Sequence, residues 1–232
     1  MFSKKLTQNI NSMKNIIAIV PARQFDERLP GKNILEFDGT NLLIHKIRQL
    51  KKVDKISEII VSSDDEQYLD MAKNEGVTID FRPIEFADNN ADFGSFVNYI
   101  ASKIECNHIM WASPTSPMVD EKDYDEAVIK YLEIINNVFD SLITVNKIKR
   151  YLLDENGPLN FRFQSNSRSQ NKLPVLYEFT NGIVLAPRTS MIKWRYNWGA
   201  IPYKYELPIM KTLDICNMEE YEFAKYLSTK SK

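Results

Sequence analysis

IIAIVPARQFDERLPGKN fills positions 16–33. Its first five residues are apolar and mostly β-branched, and they give way without a spacer to a loop carrying Arg23, Arg28 and Lys32. Unbroken rather than alternating hydrophobicity is what a parallel strand covered on both faces requires. The pattern recurs in EIIV ending at Val61, HIMWA ending at Ala112 and SLITV ending at Val145. Between these runs the apolar residues fall at helical spacing. Leu43, Ile47 and Leu50 form one stripe, and Ala127, Val128, Tyr131, Leu132 and Ile135 form another with charged residues opposite. Strand alternating with helix predicts a layered α/β fold on a largely parallel sheet.

Composition narrows the possible partners. With 232 residues, 44% hydrophobic and 26% charged, the chain can bury the core of one domain with an excursion. Thirty Lys and Arg against thirty-one Asp and Glu leave no broad basic field, so neither nucleic acid nor a membrane surface is an expected partner. Any phosphate binding must be local. Cys106 and Cys216 are too few for a disulfide framework, and positions 1–14 lack an apolar run of signal-peptide length. A cytoplasmic protein is predicted, with an N-terminal arm at 1–14 before a single domain at 15–232. No stretch of about 18 apolar residues is present to span a bilayer. Residues 147–174 turn polar and include FRFQSNSRSQNK, so an excursion at about 147–176 reads as a substrate lid, a dimerisation arm or a loose loop rather than core. TNGIVLA at 180–186 is strand-like again, and NMEEYEFAKYLSTK at 217–230 is helix-like.

In an open α/β sheet, ligands bind outside the carboxyl ends of the strands, which makes the loop at 21–33 the first candidate. It has neither the glycine-lysine spacing of a P-loop nor a dinucleotide fingerprint. On charge alone it reads either as a solvated basic loop or as a cradle for a triphosphate.

The wording of six segments goes further. IVPAR followed by LPGKN, then VSSDDEQYLDMAKNEGV, FRPIEFADN, SPTSPMV, LPVLYEFTNGIVL and TLDICNMEEYEFAK run in unbroken order from about 16 to 225. Together they resemble the acylneuraminate cytidylyltransferases, which are related to the Kdo cytidylyltransferases. The resemblance implies a three-layer α/β/α sandwich, a homodimer, and transfer of CMP from CTP to a sialic-acid-like (nonulosonic) sugar acid with release of pyrophosphate. Arg23 and Lys32 would neutralise the phosphates, with Arg28 a loop cation in place of the lysine this chain lacks, and Asn33 with Arg82 would contact the cytidine part. Asp214 would carry Mg2+. Ser113, Arg168 and Asn181 would face the sugar acid.

Bare chemistry leaves simpler readings for some of these residues. An aspartate just ahead of a helical pattern caps helices well, so Asp214 also reads as the N-cap of the closing helix. An isolated arginine such as Arg82 also reads as a surface ion-pair partner. His45 on a helix and His108 opening a strand read as structural.

Three positions depart from the resembling pattern. Asp26 and Glu27 replace Ser-Lys and set two anions against three cations in the loop. Cys216, a soft thiol, replaces the second metal-binding aspartate. Ser113 replaces a longer glutamine. These changes leave open a variant enzyme, a Kdo-type cytidylyltransferase, or a catalytically silent nucleotide-binding paralogue in a surface-sugar pathway.

Overall fold

A computed structural model describes residues 15–88, 90–135, 137–162 and 173–230. Strand β1 (Ile16–Pro21) leads into a hairpin of β2 (Glu36–Phe37) and β3 (Thr40–Asn41), then α1 (Leu42–Leu50), β4 (Ile56–Ser63), α2 (Glu66–Asn74) and β5 (Thr78–Phe81). The chain continues through α3 (Phe93–Lys103), β6 (His108–Trp111), α4 (Glu121–Ile134), β7 (Ser141–Ile148) and the small hairpin β8 (Leu153–Asp154) and β9 (Gly157–Pro158). It closes with β10 (Leu176–Pro187), α5 (Arg188–Trp194), β11 (Pro202–Glu206) and α6 (Met218–Lys230).

The seven-stranded sheet has the order β11-β7-β10-β6-β1-β4-β5. Its pairings are parallel except that β10 runs against both neighbours, β6 and β7. Because side chains alternate along a strand, β1 feeds two cores at once. Ile16, Ala18 and Val20 pack with α1, α2 and α4, while Ile17 and Ile19 pack with α3 and α5. This is the three-layer α/β/α arrangement. Each fully buried Ile or Leu contributes roughly 1.5–3 kcal/mol of transfer free energy, which is why β1 is apolar throughout. A third cluster joins Leu29, Phe37 and Leu42 to Ile215, Tyr221 and Ala224, docking α6 under the loop that follows β1.

Helix starts are fixed by side-chain caps. Asn41 accepts from Ile44 N at 2.9 Å, Asp65 from Tyr68 N at 2.9 Å and Asp92 from Ser95 N at 2.7 Å. Asp120 and Asp123 form a reciprocal capping box at α4. Helix α1 also reaches across the sheet end: buried Lys46 donates to the main-chain oxygens of Ser116 and Val119 at 2.9 and 3.2 Å, and Gln49 to that of Pro117 at 2.9 Å. The SPTSPMV segment is thus held from behind by one helix.

Several boundaries differ from the sequence reading. β4 continues past Val61 to Ser63, and β10 begins at Leu176, well before Thr180. β7 extends to Ile148 and Leu173 is buried, so both ends of the polar excursion belong to the body of the fold. Positions 1–14, the stretch 163–172 and with it Arg168 lie outside the described residues. Among the described residues, no helix is long and apolar enough to cross a membrane.

Candidate functional site

The loop after β1 is folded by its own polar groups. Ala22 N still donates to Ser62 O at 3.0 Å, continuing the β1–β4 ladder, and Gln24 N donates to Asp64 Oδ1 at 2.9 Å. The chain then turns at Leu29-Pro30-Gly31-Lys32, where Lys32 N donates to Leu29 O at 3.3 Å and Gly31 takes φ 66°. Proline followed by a left-handed glycine is the chemistry of a type II turn. This turn swings Lys32 back toward Asp26, whose Oδ2 accepts from Lys32 Nζ at 2.7 Å. Asp26 Oδ1 accepts from the main-chain nitrogens of Arg28 and Leu29 at 3.1 and 3.3 Å. Arg23 and Arg28 stand 3.6 and 3.9 Å from the same carboxylate. Burial pushes the Asp26 carboxyl up, but Lys32 and the two backbone donors outweigh it and hold it below the usual carboxylate range.

The expected opposition of two anions to three cations is therefore corrected. Asp26 is buried inside the cluster, whereas Glu27 is exposed and is not among the residues lining the cleft.

Arg82 follows β5 and is buried, which removes the surface ion-pair reading. Its guanidinium donates to Ser62 O at 2.7 Å and Ser62 Oγ at 3.3 Å, and it lies 3.8 Å from the centre of the Phe96 ring. Burial lowers its pKa to about 10, against the pull of Asp64 and Asp80. Asn33 is also buried and donates to Arg23 O at 2.9 Å.

On the opposite wall, Asn181 sits where the β10–β7 register breaks between Phe179 and Val184. Its φ of 55° is left-handed, a region asparagine tolerates better than most residues. Gly182 follows because a methyl there would lie 3.0 Å from Val119 Cγ2 and 3.2 Å from Thr144 Oγ1. The Asn-Gly pair is thus a bulge that aims a polar side chain into the cleft. Thr115 Oγ1 donates to the Asp214 carboxylate, and Asn181 beside it favours the ionised form. Ser113 Oγ and Thr115 Oγ1 are 2.6 Å apart, which extends this polar row. Burial raises the Asp214 pKa above the ordinary range despite Thr115, Lys32 and Asn181. Burial likewise raises that of the Cys216 thiol, with the Asp214 charge adding to it.

The N-cap reading of Asp214 is also corrected. Asn217 Oδ1 accepts from Glu220 N at 2.8 Å at the start of α6, and Glu220 reaches back to Cys216 N at 2.6 Å. With the cap supplied by Asn217, Asp214 turns to the cleft.

Arg23, Arg28, Lys32, Asn33, Arg82, Ser113, Asn181 and Asp214 all line one cleft of about 380 Å3 at the carboxyl ends of the strands. Arg168 is not among the described residues. Sequence reasoning missed Thr115, which lies within the quoted SPTSPMV segment. It also missed Phe86, Phe93 and Phe96, which form the apolar end of the cleft beside Arg82. A cleft with a cationic wall, an apolar aromatic end and a buried carboxylate opposite suits a ligand with phosphates at one end and a flat base at the other.

The profile of one protein family, described as Cytidylyltransferase, matches residues 17–230. The chain is 29% identical over 215 residues to an N-acylneuraminate cytidylyltransferase of Escherichia coli, covering 90% of this chain and 51% of that one, so it spans about half the length of that relative. It is 24% identical over 226 residues to a pseudaminic acid cytidylyltransferase of Campylobacter jejuni, covering 93% of this chain and 96% of the relative. Among solved structures, a CMP:2-keto-3-deoxy-manno-octonic acid synthetase complexed with CTP superposes with a TM-score of 0.69 at 12% identity, over 94% of this chain and all of that one. That likeness establishes the fold.

Proposed function

The chain belongs to the cytidylyltransferase family, and from that premise we propose that it activates a nonulosonic, sialic-acid-like sugar acid with CTP, giving the CMP-sugar and pyrophosphate. The enzyme is a CTP-dependent nucleotidyltransferase. The observation that carries the reading is the single cleft in which the cations of the β1 loop face Asp214 while Arg82 and the phenylalanines close the far end. The names of the E. coli and Campylobacter relatives support a sugar acid as acceptor.

In this reading Arg23, Arg28 and Lys32 grip the triphosphate, and Arg82 with Asn33 meets the cytidine. Asn181 and Ser113 orient the acceptor. Its anomeric hydroxyl attacks the α-phosphorus, a new P–O bond forms as the bond to the β-phosphate oxygen breaks, and the hydroxyl proton passes to solvent. The protein contributes alignment and charge neutralisation, the usual share in transfers at phosphorus.

Magnesium fits this cleft as an ion held largely by phosphate. Among the described residues no group of three or more His, Cys, Asp or Glu is gathered to bind a metal. Asp214, carrying a carboxyl that burial leaves in want of a cation, suits an ion that takes one carboxylate plus phosphate and water oxygens. When bound, the ion supplies charge neutralisation on the triphosphate.

A homodimer is part of the proposal. Leu153, Leu159, Val175, Tyr177 and Phe179 are exposed along the excursion and the outer half of β10, apolar side chains that a second copy would cover. Light scattering distinguishes dimer from monomer. The function itself is tested by thermal shift: CTP with magnesium should raise the melting temperature more than ATP or GTP, by mass action on the folded state. Equal shifts would remove the cytidylyl reading.

A further inference from the structure

Asp26 occupies the position an anionic ligand would take. Its carboxylate is only 4% exposed and sits among Lys32 Nζ at 2.7 Å, Arg23 at 3.6 Å and Arg28 at 3.9 Å. Two backbone N–H groups complete its shell. These are the donors that cradle a phosphate group elsewhere: fixed cations joined by consecutive main-chain nitrogens. The cations differ in freedom. The Lys32 side chain is 13% exposed and pinned, Arg23 is 35% exposed, and Arg28 is 64% exposed and able to swing. A phosphate entering the cleft therefore finds the arginines available and the lysine already committed to a protein carboxylate.

Resting on the nucleotide reading above, we propose that Asp26 is a specificity-determining residue of this anion seat, a built-in competitor that weakens the hold on free, highly charged polyphosphate such as pyrophosphate. Three positive charges less one leave the seat with a net charge of two. That balance suits a triphosphate whose charge is partly neutralised by a cation better than a bare polyanion. The margin by which the seat holds bare pyrophosphate over the metal-complexed nucleotide is thereby narrowed.

Inorganic pyrophosphate without added metal is the probe, titrated calorimetrically into the full chain and into Asp26→Asn, Asp26→Ser and Glu27→Gln. Asparagine and serine keep an oxygen that can accept from the Arg28 and Leu29 nitrogens. Glu27→Gln makes the same change of net charge one residue away, outside the cleft. Asp26→Asn and Asp26→Ser should bind pyrophosphate about tenfold more tightly, the scale of one charge-assisted hydrogen bond regained by the ligand. Glu27→Gln should stay within about twofold, because Glu27 does not line the cleft. The proposal is overturned if folded Asp26 variants bind pyrophosphate no better than the parent, or if Glu27→Gln tightens binding as much. Loss of the folded state in both Asp26 variants, seen by circular dichroism, would overturn it too, since Asp26 would then be a folding residue. Titrating CTP and ATP in parallel keeps the two ideas apart. Absent CTP preference with a tenfold Asp26 effect sinks the cytidylyl reading alone, and the converse result sinks this inference alone.

Discussion

Asn33 Nδ2 donates to the main-chain oxygen of Arg23 at 2.9 Å, tying the far end of the β1 loop back to its beginning. Asn33 is buried, so removing its amide leaves the Arg23 carbonyl short of a donor. Asn33→Ala should cost about 1–3 kcal/mol of stability in chemical denaturation and weaken CTP binding, because the loop that aims Arg23 loses its tie. Arg23→Ala should weaken CTP by roughly 1.5–3 kcal/mol with little change in stability. Unchanged CTP affinity in both variants would make the loop a solvated surface.

Arg82 is a buried cation on the Phe96 ring with the Ser62 carbonyl as acceptor. Arg82→Ala should lose about 2–4 kcal/mol of stability from the cavity and the stranded acceptor. The surviving folded protein should also lose its preference for CTP over ATP in thermal shift. Retained preference would place cytidine recognition elsewhere.

Lys46 is fully buried, and burial lowers its pKa to about 7 against the upward pull of Asp123 and Asp120. The folded value lies below the unfolded one, near 10.4, so between about pH 7 and pH 10 the unfolded chain holds more protons. Stability should therefore rise with pH across that window. Between about pH 7 and pH 9 this group should contribute a gain on the order of 1–2 kcal/mol that Lys46→Met lacks. Parallel pH profiles for the two proteins in urea denaturation would contradict it.

Cys216 lines the cleft beside Asp214, where a thiol gives a hard cation little. Cys216→Asp should lower the magnesium needed for half-maximal pyrophosphate release and tighten magnesium binding to the CTP complex in calorimetry. Asp214→Ala should abolish turnover in either background. An unchanged magnesium dependence in Cys216→Asp would mean that the ion is held by other groups.

How much of this was legible beforehand follows from burial. Strands β1, β4, β6 and β7 are covered on both faces for most of their length, so their apolar runs announce them. Strands β5 and β11 lie at the sheet edges, where TIDF and PYKYE each bury a single residue and carry no such run. The reversed direction of β10 is a matter of topology that no local pattern encodes. Helix α3 lies in a segment read only as helically spaced, although Asp92 ahead of Phe93 is a capping signal that marks its start. For the site, residue types and order were readable, and eight of the nine proposed side chains line one cleft, the ninth, Arg168, lying outside the described residues. What could not be read was direction: that Asp26 turns inward and Glu27 outward, that Arg82 is buried, and that Asn217 rather than Asp214 caps α6.

The most direct test is pyrophosphate release by the purified protein with CTP, magnesium and a panel of sugar acids, run beside ATP and GTP. The account predicts release with CTP and a nonulosonic acid such as a sialic, pseudaminic or legionaminic acid, with ATP and GTP slower by about a hundredfold or more, the scale set by a site whose polar groups are left unpaired by the wrong base. Release with ATP or GTP as fast as with CTP, or no release with CTP and any sugar acid tested, would contradict it.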